Sequence, residues 1–126
     1  MTLEAVKEIR LVRVDADDLQ DVEDIPEAIR FAIILSSPAS TIWVHEFGEA
    51  YELLHHPIKP PFEVIGDRIW ISFLPRYCKD LQPFVDFLKA VVERANFEER
   101  RTIQMHEHDN ASDKSKLRDV LRALRI

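Results

Sequence analysis

The residues of this chain best suited to chemistry gather in positions 45–56, where His45, Glu49, Glu52 and His56 recur at i, i+4, i+7 and i+11. On a helix that spacing puts all four on one face. His45 with Glu49, and Glu52 with His56, then form two pairs that could each grip a divalent ion. His106 or His108 would complete the ligand shell. The same spacing also describes a solvated helix face with histidine–glutamate pairs worth about 0.2–0.5 kcal/mol each.

The run His45-Glu46-Phe47-Gly48-Glu49 begins like the zinc-protease helix motif His-Glu-x-x-His. With His55 ten positions on, the stretch is similar to the longer metzincin pattern. The resemblance implies a zinc ion on the histidines and a water activated by Glu46. Two positions depart from it: Glu49 stands at the second histidine, and Glu52 at the glycine where such chains leave the helix. If the helix continues, His55 points about 80° away from His45, so the three ligands do not converge. A metal-dependent hydrolase using His45, Glu46, Glu49 and His56 is therefore the alternative reading.

Other reactive groups are scattered. Cys78 precedes a long amphipathic segment, where a helix dipole and Lys79 would lower a thiol's pKa, but no histidine is near it in sequence. The acidic run at 15–21 misses the calcium-loop pattern, since Leu19 and Gln20 occupy positions that need a ligand and a glycine. His106-Glu107-His108 lies in a polar stretch. Glycine occurs only at Gly48 and Gly66, so nothing resembles a phosphate-cradling loop. No catalytic set is legible, and no cofactor is expected; a divalent metal is the one exception the helix face permits.

The elements that must position these groups follow from periodicity. Residues 6–14 predict a strand whose alternation breaks: Ile9 and Leu11 share one parity, Val12 and Val14 the other, as a bulge or burial on both faces would produce. Residues 15–27 read as an acidic loop with a helical turn near Leu19 and Val22. Ile29, Phe31, Ile33 and Leu35 alternate with Arg30, Ala32 and Ile34 in a second strand. Ser37-Pro38 predicts a helix start, and the helix should reach His56 with Trp43, Phe47, Ala50 and Leu54 turned inward. That aromatic stripe, with Tyr51, could instead line a small-ligand pocket. Gly66-Asp67 between two β-prone runs predicts a hairpin in which Val64 faces Ile69 and Phe62 faces Ile71. Asp80 caps a second helix carrying Leu81, Phe84, Val85, Leu88, Val91, Val92 and Ala95 on one face. Phe87 and Phe97 lie off that face. A polar loop at 106–113 should precede a C-terminal amphipathic helix at 114–126, striped by Leu117, Val120, Leu121 and Leu124.

The order strand, strand, helix, hairpin, helix, helix predicts one α+β domain over 1–126. Its antiparallel sheet would have about four strands, with helices mainly on one face. The uncovered face would present Ile34, Ile65, Arg68 and Trp70, the composition of a binding hot spot. The leucine stripe, Leu117, Leu121 and Leu124 above all, would either dock on its own domain or pair with a second copy as a further contact surface. A net charge of −6 argues against nucleic acid as partner. The longest apolar run, 31–35, is too short for a membrane. One cysteine and an N-terminus without signal-peptide character make the cytoplasm the default. Charge is uneven: 1–30 holds nine acidic and four basic residues, whereas 113–126 holds five basic and two acidic. The favoured function is a non-enzymatic interaction module whose partner is a second copy, as a homodimer, or another protein.

Overall fold

The computed structural model describes residues 8–125, without the side chains of 107–110. The start of the expected first strand, at residues 6 and 7, lies outside that range. Four strands, β1 (Leu11–Asp21), β2 (Ile29–Leu35), β3 (Phe62–Ile65) and β4 (Arg68–Phe73), form one antiparallel sheet in the order β1-β2-β4-β3. Helix α1 (Thr41–Leu53) joins β2 to β3, and α2 (Leu81–Ala123) follows a 3₁₀ turn over Pro75–Asp80. The class is α+β, as the element order required.

The sheet order has local causes. β4 carries Ile69, Ile71 and Phe73 buried on one side and Trp70 half-buried on the other, so it belongs at the centre. β3 follows Pro60 and Pro61 and is short, and proline cannot donate to a second neighbour, so it takes an edge. β1 takes the opposite edge, because its pairing with β2 is broken twice, between Leu11 and Arg13 and between Asp15 and Gln20. The first break is a bulge, one of the two causes that the parity change allowed. It leaves Leu11 facing Leu35 and Val14 facing Ile33, both on the helix side. The second absorbs 16–19, so β1 continues to Asp21 where the acidic composition had predicted a loop.

The hairpin has the predicted register, Phe62 opposite Ile71 and Val64 opposite Ile69. Gly66 supplies the positive φ, 60°, that a primed two-residue turn needs at its first central position. The turn also fixes where α1 begins. The Ala39 N–H donates to the Gly66 carbonyl (2.9 Å) and the Leu35 N–H to that of Asp67 (2.7 Å). Residues 36–39 are thereby held outside the helix, and Ser40, rather than Ser37, caps it by accepting from the Trp43 N–H at 3.0 Å. At the other end Pro57 would clash with the Leu53 carbonyl and keeps His56 extended, so α1 stops at Leu53, short of His56.

Helix and sheet meet in one core. Phe31, Ile33 and Leu35 of β2 and Ile69, Ile71 and Phe73 of β4 face Trp43, Phe47, Ala50 and Tyr51 of α1 and Phe84, Leu88, Val91, Val92 and Ala95 of α2. Aromatic contacts seam it, with Trp43 stacked on Phe47 at 5.0 Å and Phe47 edge-on to Phe62 at 5.1 Å. The Trp43–Phe47–Tyr51 stripe is thus core, not the wall of a pocket.

The second half of the chain departs from the expectation. Residues 106–113 do not form a loop; α2 runs unbroken for 43 residues, about 65 Å, and absorbs the separate C-terminal helix. No glycine follows Gly66, and Pro83 falls in the first turn, where it is tolerated. Once the core nucleates α2, each further residue extends it at little cost, so a polar sequence can remain helical.

Asn96 locks the layers together. Buried on α2, its amide donates to the Ile9 carbonyl (2.8 Å) and its carbonyl accepts from the Ile9 N–H (3.0 Å) and from the Trp43 indole (2.9 Å). Replacing it with alanine strands three buried polar groups, so Asn96→Ala should destabilise the fold by about 3 kcal/mol or more in urea unfolding. Exposed Arg94→Ala should stay within about 0.5 kcal/mol in the same measurement.

Candidate functional site

The histidine–glutamate face survives only in part. His45 and Glu49 lie one turn apart on α1, Nε2 to Oε1 at 3.8 Å, both well exposed. Glu52 is on the same helix, but His56 is past its end, with its ring stacked on Phe87 at 4.7 Å and tilted against Phe84 at 6.0 Å. The second i, i+4 pair therefore does not form. Glu46 accepts a hydrogen bond from the Thr102 hydroxyl at 3.2 Å. Arg94 and Arg101 of α2 line the groove shared by His45, Glu46 and Glu49, and both pair with Glu98. Glu98, which also lines the groove, engages both guanidinium groups, and Glu46 is engaged by Thr102. Among the described residues, no group of three or more His, Cys, Asp or Glu side chains could hold a metal ion. His106 is exposed on α2, and the side chains of Glu107 and His108 lie outside the described residues.

The outer face of the sheet, which no helix covers, is organised by arginine. Arg30 lies over the Trp70 ring at 4.6 Å and pairs with Glu63 at 3.1 Å. Arg68, the neighbour expected beside Trp70, reaches instead across the sheet to Asp15 at 3.0 Å. Ala32, opposite both Trp70 and Asp15, is fully buried beneath them. Ile34 is half-buried at this face and Ile65 is exposed at its corner. The four predicted residues do share one surface, but Trp70 already has a partner in its own chain.

The far half of α2 is different in kind. All of 111–125 is exposed, and Leu117, Val120, Leu121 and Leu124 are each 56–62% accessible. Met105 and Phe97 are exposed on the same helix, while Phe87, the other residue off its main face, packs on Tyr51 and His56. Among the described residues, nothing covers the leucine stripe.

Cys78 is exposed in the 3₁₀ turn before α2. Within the acidic run, the Asp17 N–H caps the Asp15 carboxylate at 3.1 Å, and Arg68 holds that carboxyl below its ordinary range. Two buried polar residues escaped sequence reasoning. Asn96 and Glu99 extend the apolar stripe of α2, four residues after Val92 and Ala95, and a polar side chain at a core position was the signal. Glu99 accepts from the Ser40 hydroxyl, so a buried carboxylate fastens the N-terminal cap of α1 to α2.

No family model matches the chain, and neither a curated protein nor a solved structure does. Among the described residues, no helix is long and apolar enough to cross a membrane.

Two groups set the expected pH response. Because Asp15 titrates below its unfolded value, its contribution is present above about pH 4 and is lost as the pH falls through the folded value. Arg68→Gln should therefore flatten the acid limb of a stability–pH curve. Burial raises the Tyr51 phenol, whose O–H donates to the Pro60 carbonyl at 2.6 Å. Its contribution is complete below about pH 10 and falls away above that as the unfolded chain ionises. Tyr51→Phe should remove that alkaline loss in thermal melts across the same range.

Proposed function

We propose that this chain is a non-enzymatic interaction module that works as a homodimer, with the far half of α2 as its contact element. The observation that carries this reading is the leucine stripe at Leu117, Val120, Leu121 and Leu124, held on a helix and left uncovered by its own domain. Isolated surface leucines are ordinary, but four in a row on a projecting helix are the pattern of a docking segment. The outer sheet face is the weaker candidate, because Arg30 already occupies the Trp70 ring. Among the described residues, no group of three His, Cys, Asp or Glu side chains competes with this reading. A single exposed thiol suits a reducing compartment, so the cytoplasm is the proposed location.

Light scattering coupled to size exclusion tests it directly. The intact chain should elute at dimer mass at high micromolar concentration. Leu117→Asp/Leu121→Asp should elute at monomer mass, with a thermal midpoint close to wild type because neither residue packs on the core. An intact chain that remains a monomer would refute the homodimer.

A further inference from the structure

We infer that the far half of α2 docks on the acidic edge strand β1 of a second copy, and not on that copy's own α2. This rests on the homodimer reading above and names the seat its contact element takes.

Among the described residues, the end of the arm and the edge strand β1 both expose apolar side chains, and their net charges are opposite. The arm, 104–123, extends about 30 Å at 1.5 Å per residue. At about 100° per residue, Lys114 and Arg118 border one side of its Leu117–Leu121 stripe and Lys116 the other, and Leu124 and Arg125 follow just past the end of the helix. At β1, Val12, Val14 and Leu19 are all exposed. Val14 pairs with Ile33, a core residue, so it faces the helix layer; α1 and α2 nevertheless leave it open. Asp17, Asp18 and Asp21 flank Leu19 along the strand, Glu23, Asp24 and Glu27 follow it, and no basic residue lies between Arg13 and Arg30; Val12 and Val14 lie toward the other end, beside Arg13.

Charge decides among the self-pairings. Residues 113–125, the end of the arm, hold five basic and two acidic side chains, so arm end against arm end brings two basic segments together, and edge against edge two acidic ones; both are repulsive. Edge-to-edge strand pairing is further blocked by the interruption of β1 at 16–19. Arm against edge is the one combination in which apolar surface meets apolar surface inside a rim of opposite charge. The arm does not touch its own edge, since all of 111–125 is exposed. Each copy carries one arm and one edge, so a reciprocal exchange satisfies both and closes as a twofold dimer. The partner's arm would then lie as a third helix of the layer, above the end of β1 that α1 and α2 leave bare.

The test uses two full-length triple variants, an edge reversal (Asp17→Lys/Asp18→Lys/Asp21→Lys) and an arm reversal (Lys114→Glu/Arg118→Glu/Arg125→Glu). All six side chains are exposed, so folding is checked by matching circular dichroism and thermal midpoints. The milder Asp17→Asn/Asp18→Asn/Asp21→Asn serves if the edge reversal fails to fold. Each reversal alone should weaken dimerisation at least about tenfold by light scattering and sedimentation. An equimolar mixture of the two should recover the dimer, because each arm then meets an edge of opposite sign. Dimerisation undiminished by either edge variant would overturn this docking while leaving the homodimer standing. Loss in both reversals without recovery on mixing would also overturn it. A wild-type chain that is monomeric would overturn both readings.

Discussion

One asparagine side chain holds this molecule in its arrangement. Asn96 donates its side-chain N–H to the Ile9 carbonyl and accepts on its side-chain carbonyl from both the Ile9 N–H and the Trp43 indole, so it acts on Ile9 as a neighbouring strand would. Three segments far apart in sequence are thereby fixed relative to one another: the approach to β1, the first turn of α1 and the middle of α2. Apolar contacts alone tolerate sliding and repacking, whereas a buried amide with three partners permits one register. The Ser40–Glu99 contact one turn further along α2 repeats the device, joining the cap of α1 to the same wall. With both in place, the Trp43 and Phe47 rings meet the sheet in a single orientation.

From that anchor, α2 has two physical lives. Up to about Thr102 it is a wall of the core, with Phe84, Leu88, Val91 and Ala95 buried. Beyond that point the domain ends and the helix does not. A helix continuing some 30 Å past its support exposes its backbone hydrogen bonds to water on every side, which lowers local stability. Sequence composition compensates in part, since the arm contains no glycine or proline. A stripe of leucines on such an element adds nothing to the fold of the chain that bears it. Its contribution arises only when another surface covers it.

The face of α1 that drew attention first has been given other work. His56 became an aromatic neighbour of Phe87, Glu46 a partner of Thr102, and the groove beside His45 and Glu49 acquired Arg94 and Arg101 from α2. Each group found an ordinary structural role because an adjacent element supplied a cation, a hydroxyl or a ring. On the sheet's outer face, Arg30 did the same for Trp70.

By itself the sequence determined the class, the two core-bearing helix faces, the irregularity of β1 and the hairpin register, down to Val64 opposite Ile69; that the irregularity is a bulge and not burial on both faces came from the pairing with β2. Those features depend on side-chain parity, turn chemistry and helical spacing, which act over a few residues. Tertiary structure alone decided that α1 starts at Ser40, since the Gly66 carbonyl, 27 residues away, claims the Ala39 N–H. It decided that β1 runs through the acidic stretch, because β2 was there to pair with, and that α2 passes through a polar stretch without breaking. It also decided that Asn96 is a clamp, for a polar residue on an apolar stripe declares its burial but not its partners. Local rules fix what a segment can be; contacts between distant segments select which of its options is used.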